Sequence, residues 1–164
     1  MNFATERLTA EKLAPAHLGE LTTLHLDPEA CRYLGGVRTP ESTSAYLDVN
    51  LAHWAEHGYG LWVVRMSDGA FAGRVGIRHT LLEGAPEVEI AYTFKPELWG
   101  RGLATEAADA LVRLWRARLD VPSLVGIASI ENYASRRVLA KAGFKYEREA
   151  TYHDEPVVVY RLVR

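Results

Sequence analysis

Apolar positions recur at helical spacing through the first third of the chain and at strand spacing through its middle. Phe3 to Leu8 can form an opening strand. From Pro15 to Leu26, the residues Leu18, Leu21, Leu24 and Leu26 repeat along one helix face, and Pro15 suits the first turn. Asp27-Pro28 interrupts that helix, and Pro28 to Leu34 reads as a second, short amphipathic helix. Thr39-Pro40-Glu41-Ser42 carries a start signal, with Thr39 as N-cap, Pro40 in the first turn and Ser42 where a capping box would place Glu. The helix it opens runs to about His57 and ends at Gly58.

The period then changes. Tyr59 to Met66 is rich in aromatic and β-branched residues, Ser67-Asp68-Gly69 is a hairpin-type turn, and Phe71 to Leu82 is the returning strand. Val88 to Phe94 follows as a third strand, bounded by Gly84-Ala85-Pro86 and Lys95-Pro96. Ala104 to Leu119 returns to helical spacing, with Ala104, Ala107, Ala108, Leu111, Leu114 and Trp115 on the inward face, and Pro122 closes it. Ser123 to Ser129 reads as a buried strand, Asn132 to Ala142 as a short helix capped by Gly143, and Phe144–Tyr152 and Val157–Val163 as two last strands. A three-strand meander followed by a strand–helix–strand crossover predicts one α/β (α+β) domain over residues 1–164. Its sheet is mixed, mostly antiparallel, of about seven strands, and flanked by helices.

Composition narrows the function. A chain of 164 residues with 48% hydrophobic and 24% charged residues supports one self-sufficient core and is neither disordered nor membrane-spanning. No basic stretch followed by an apolar run opens the chain, so a cytoplasmic protein is expected. A net charge of −2 argues against a general nucleic-acid binder. Cys31 is the only cysteine, which rules out an internal disulfide and a multi-thiolate metal site and reads as core filler. Basic residues crowd Arg136, Arg137, Lys141, Lys145 and Arg148, while Glu83, Glu87, Glu89, Asp154 and Glu155 sit on or beside strands. That division suits an anionic cofactor on one side and a cationic substrate on the other; a mixed solvated surface explains it too.

Two segments carry chemistry. Trp99-Gly100-Arg101-Gly102-Leu103-Ala104-Thr105-Glu106 lies between a strand and a helix, where glycines let backbone N–H groups converge on a phosphate at the helix N-terminus. A simple tight turn explains the glycine pair equally well. No Gly-Lys-Ser/Thr follows, and Thr105 stands where a dinucleotide fingerprint wants Gly or Ala. In the second segment, Asn132-Tyr133-Ala134-Ser135, Asn132 can cap the helix with Ser135 on its face. Helix capping and ligand contact account for these two polar residues about equally.

Together with Glu89-Ile90-Ala91-Tyr92 and Lys141-Ala142-Gly143-Phe144, these segments resemble the GNAT N-acetyltransferase superfamily. The narrower resemblance is to the branch of ribosomal-protein-alanine N-acetyltransferases, and it covers nearly the whole chain. It implies acetyl-CoA as co-substrate, with the pyrophosphate on the backbone of Arg101, Gly102, Leu103, Ala104 and Thr105 after Trp99-Gly100. It further implies the pantetheine arm along Ile90, Ala91, Tyr92 and Phe94, with Asn132 and Ser135 beside it and Arg136 or Arg137 at the adenosine phosphates. No metal is implied. Two departures stand out: Trp99 opens the loop where Gln or Arg is usual, and Leu139 stands where many members carry a tyrosine that protonates the leaving thiolate. Ser135 matches the serine that stands in for it in the narrower branch.

A thioester is attacked by a neutral amine, so a base must take a proton and a donor must meet the thiolate. Glu89 and Asp154 are the candidate bases, with His79 and His153 behind them, and an ordinary surface role is the competing reading for each. The expected acceptor is a primary amine: a protein N-terminal α-amine, or a small amine such as an amino acid, polyamine or aminoglycoside. The aromatic stretch Leu34–His57 with Tyr33, Tyr46 and Trp54 is expected to help line its groove. A non-catalytic acyl-CoA sensor and, more remotely, a dinucleotide oxidoreductase are the other classes. Neither nucleic acid nor membrane is an expected partner, and both a monomer and a homodimer fit.

Overall fold

The computed structural model describes residues Met1 to Arg164. Its strands are β1 (Phe3–Ala4), β2 (Leu8–Lys12), β3 (Leu61–Met66), β4 (Phe71–Leu82), β5 (Ala85–Phe94), β6 (Ser123–Ser129), β7 (Lys145–Tyr152) and β8 (Glu155–Val163). They form one sheet in the order β1-β2-β3-β4-β5-β6-β8-β7. Every pairing is antiparallel except β5 with β6, which is parallel and holds register at only two positions, Glu89 with Val125 and Ile90 with Gly126. Helices α1 (Leu18–Leu26), α2 (Pro40–His57), α3 (Leu103–Arg118) and α4 (Tyr133–Lys141) flank it.

Three expectations shift. The opening strand is two, because Thr5–Arg7 leave the ladder to bond with Glu106 on α3; the sheet therefore has eight strands. Pro28–Leu34 is no helix. Asp27 Oδ1 accepts from the Glu29 and Ala30 amides, the Cys31 amide closes one turn onto the Asp27 carbonyl, and Gly35 and Gly36 at φ +82° and +89° end it. The strands β5 and β8 also start two or three residues earlier than the pattern suggested. Two-residue turns with both φ positive, Glu83-Gly84 and His153-Asp154, let the ladders close at Leu82–Ala85 and Tyr152–Glu155.

The remaining boundaries follow local chemistry. Thr39 accepts from the Ser42 amide to cap α2, and Gly58 at φ +72° ends it. Asn132 caps α4 by accepting from the Ser135 amide. At the other end, the Gly143 and Phe144 amides bond back to the Ala140 and Leu139 carbonyls, a Schellman stop. One main core gathers Trp54, Trp62, Trp115, Leu111, Ile77 and Ile90 between the sheet and the helices.

Helix α4 sits close on β6 because Gly126 has no side chain: a Cβ there would lie 2.2 Å from Leu139 Cδ2. Gly126→Ala therefore forces the buried Leu139 side chain to shift, and denaturant unfolding should show a loss of about 1–3 kcal/mol.

Candidate active site

Beyond Ile90 and Gly126 the two parallel strands part: β5 goes on along β4, and β6 along β8. The edge of β5 facing β6 thus has no strand partner from Ala91 onward. A cavity of about 720 Å³ fills the gap, lined by Ala91, Tyr92 and Thr93 on one strand and Ile127, Ala128 and Ser129 on the other. Alternation along β5 puts Glu89, Ala91 and Thr93 on one face and Ile90 and Tyr92 on the opposite one, yet all five line this cavity. It therefore passes through the sheet.

On the α4 side, Asn132, Ser135 and Leu139 line the cavity with Tyr92. The Tyr92 hydroxyl lies 2.9 Å from Ser135 Oγ and 3.1 Å from the Ser135 carbonyl oxygen. Burial pushes the phenol up to about 12, so it stays protonated and able to donate. Leu139 is buried on Gly126, so no acid comes from that helix position. The sequence had pointed to Tyr92 only for its backbone; its side chain reaches Ser135 because α4 packs over the face to which even-numbered β5 residues point.

The glycine loop lies next to this opening, outside the cavity itself. Gly100 and Gly102 have φ +76° and +78°, and Gly102 is the N-cap of the 16-residue α3. The backbone there is the left-handed type that turns successive N–H groups the same way. Leu103 is buried and Ala104 and Thr105 half-buried, while Arg101 is exposed. Trp99 fixes the loop from behind, its indole N–H donating to the Phe94 carbonyl at 3.0 Å. Phe94 is itself core, 4% exposed. Arg7 fixes the other side, with Nε on Glu106 at 2.7 Å and Nη1 on the Arg101 carbonyl at 2.8 Å. Arg136 is occupied by the Ile130 carbonyl and the Tyr160 hydroxyl, whereas Arg137 is exposed and forms no ion pair.

The opposite side differs from the expected acidic groove. Glu83, Glu87 and Glu89 are each taken by an arginine: Arg148, Arg161 and Arg78. Glu89 remains in the cavity wall, 5% exposed, with Oε1 2.7 Å from Arg78 Nε. Asp154 stands at the exposed hairpin tip, outside the lining that its neighbours His153 and Glu155 reach. Tyr152 completes this wall, its phenol pushed up by burial and by the Glu89 charge. From the first third of the chain, Arg32–Arg38 line the cavity, but no α2 residue does; Trp54 is core and donates to the Leu61 carbonyl.

Arg74 and Arg78 project from β4 into the same space, with Tyr46 of α2 in cation–π contact with both and with Arg38. Arg74 Nε donates to His25 Nε2 at 3.1 Å, which leaves the proton of that ring on Nδ1, facing Thr43 Oγ1 at 3.0 Å. Burial, then the charges of Arg74 and Arg38, push His25 down to about 3. Cys31 is fully buried, and burial pushes its thiol up. Sequence reading missed this cluster, though one signal was present: arginines at 74 and 78 share one face of a strand otherwise full of apolar residues. His79 points elsewhere, toward His53, His57 and Tyr59. The ring nitrogens of the three histidines come within 4.8 Å, but both nitrogens of His53 are engaged, by the Tyr59 carbonyl and the His79 amide.

A mixed sheet parted between two parallel strands, beside a left-handed glycine loop at a helix start, is the architecture of a CoA-dependent acyltransferase. The chain belongs to the acetyltransferase (GNAT) family, whose domain model matches residues 7–145. The crystal structure of an acetyltransferase from Agrobacterium tumefaciens is 30% identical, with a TM-score of 0.88 over 100% of this chain and 95% of that one. A ribosomal-protein alpha-N-acetyltransferase, RimL, in complex with coenzyme A shares the fold at 19% identity and TM-score 0.83, covering 99% and 98% of the two chains. An aminoglycoside acetyltransferase in complex with coenzyme A does so at 20% identity and TM-score 0.79, covering 96% and 95%.

The neutral His25 gives stability a pH dependence. An unfolded histidine protonates near 6.5, the folded one only near 3. Between those values the unfolded chain binds the extra proton, so this contribution is intact above about 6.5 and is lost as pH falls toward 3. Thermal melts from pH 7 to pH 4 should fall more steeply for the wild type than for His25→Gln; parallel slopes would contradict it.

Proposed function

We propose that the protein transfers an acetyl group from acetyl-CoA to a primary amine. The observation that carries this reading is the cavity crossing the sheet where β5 and β6 part, with the Tyr92–Ser135 pair in one wall and the Glu89 carboxylate in the other. The chain's own groups fit the donor. The backbone of Arg101, Gly102, Leu103, Ala104 and Thr105 takes the pyrophosphate, and the unpaired edge from Ala91 bonds to the amide-bearing arm, with Asn132 beside it. Arg137 is the better-placed of the two arginines for the adenosine phosphates. When bound, acetyl-CoA supplies an acyl group on a thioester, whose C–S bond breaks as the new C–N bond forms.

Each remaining step belongs to a side chain. The amine must lose a proton to attack, and Glu89 accepts it directly or through water, being the acid within the cavity wall; Asp154 stands outside the lining at the exposed hairpin tip. Of the Ala91 and Tyr92 amides, the one that points away from β4 into the gap meets the carbonyl oxygen as charge develops on it. The departing thiolate needs a proton or a strong hydrogen bond. Tyr92 and Ser135 form a donor pair for it, the phenol passing its hydrogen bond through the serine hydroxyl. That pair stands in for the tyrosine that Leu139 replaces. Acceptors of known fold relatives range from a ribosomal protein to aminoglycosides, so the amine is set by the far side of the cavity.

Three variants test this with free-thiol release and CoA titration. Tyr92→Phe and Ser135→Ala should each lower kcat by about 10–100-fold with CoA affinity nearly kept. If they lower only the affinity, the pair is a cofactor contact and not an acid. Gly102→Val forces a β-branched residue to φ +78° and should weaken CoA binding by about tenfold or more while the fold survives. Unchanged CoA affinity would remove the loop from the donor site.

A further inference from the structure

The acceptor end of the cavity carries more positive charge than its surroundings neutralise. Arg32, Arg38, Arg74 and Arg78 line it, against two acids, Glu89 and Glu155. Glu89 is committed to Arg78, and Glu155 lies exposed at the hairpin rim. Arg74 is 4% exposed and forms no ion pair; its one hydrogen bond goes to a neutral imidazole. Arg38 also lacks an ion pair, and its buried Nε has no hydrogen-bond partner at all. The groups packed around these two supply no anion. Thr43 and Tyr46 come from α2, His25 is held neutral from α1, and the Cys31 thiol is held protonated from the turn after it.

Guanidinium groups do not lose their proton at ordinary pH, so this charge is permanent. A buried cation without a partner costs several kcal/mol, and proteins keep one where a ligand completes it. The Tyr46 ring, 4.8 Å from Arg38 and 5.0 Å from Arg74, offsets part of that cost, and both arginines line the same cavity. Planar forks so placed match the two oxygens of a carboxylate. Glu89, paired across the strands with Arg78, sits at the last paired stretch of β5 with β6, whereas Arg74 lies opposite Thr93 alongside the parted stretch, and both line the cavity.

Resting on the transferase reading above, we propose that the acceptor is a small amine that also carries a carboxylate. Arg74 and Arg38 hold the carboxylate, and the amine is left facing Glu89 and the acyl group. The cationic acceptor suggested by the acidic residues of the sequence is thereby replaced by a zwitterionic one. Selection falls on the anion because every cavity acid but the rim residue already has its arginine.

The test uses the full-length protein saturated with CoA, titrated calorimetrically with amino acids and their α-amides, and with aspartate and glutamate against asparagine and glutamine. At least one acid should bind about tenfold or more tightly than its amide. Arg38→Gln should erase that difference and leave CoA affinity unchanged. Arg74→Gln should do the same where circular dichroism shows it folded, and Arg38→Gln carries the test where it does not. Amides binding as well as acids, no acid binding at all, or an undiminished preference in Arg38→Gln would each overturn the proposal. The same panel is then run with acetyl-CoA for thiol release. Carboxylate-selective binding without thiol release from any amine would sink the transferase reading and leave the anion subsite standing.

Discussion

The structure turns on a ladder that stops early. Strands β5 and β6 are parallel neighbours for two residue pairs and then diverge, each keeping its antiparallel partner on the other side. Hydrogen-bonding groups that a continuous sheet would consume are thereby released at the centre of the molecule, where isolation would be costly. Such an edge is tolerated when something else bonds to it, and an extended arm rich in amides is the natural occupant. Helix α4, seated over Gly126 by Leu139, keeps the two strands apart and brings Asn132 and Ser135 to the opening.

Because the opening goes through the sheet, the two faces of β5 serve different purposes with no change of element. Even-numbered side chains look toward α4, where Tyr92 meets Ser135. Odd-numbered ones look toward β4's arginines, where Glu89 meets Arg78. Strand alternation thus separates a protonated phenol from an arginine-paired carboxyl group by the thickness of one strand. A proton taken up on one side and a proton supplied on the other are the two demands of acyl transfer to an amine.

Much of this was legible in the residues. Thr39, Gly58, Asn132 and Gly143-Phe144 mark helix ends by local bonds, and the structure uses each of them so. The period-2 runs gave the sheet, and the loop Trp99–Thr105 was found from its glycines between strand and helix. What escaped the sequence is long-range. Pro28–Leu34 has helical spacing, but Asp27 and the paired glycines confine it to a turn. Glu83 and Glu87 looked free because their arginines lie 65 and 74 residues away. The buried cluster of Arg74, His25 and Tyr46 joins three elements whose meeting no local pattern announces.

The bond between Glu106 and the segment Thr5–Arg7 has a consequence for the order of folding. Glu106 joins residues 99 and 101 positions apart while sitting on the first turn of α3, next to the glycine loop. Contacts of such sequence separation are closed late, since their loop entropy must be met before they return any stability. Strands β3, β4 and β5 are neighbours in sequence and can assemble as a local meander first. The glycine loop is then held in its final shape only once Thr5–Arg7 arrive. A collapsed intermediate would hold most of the sheet and still lack the finished loop.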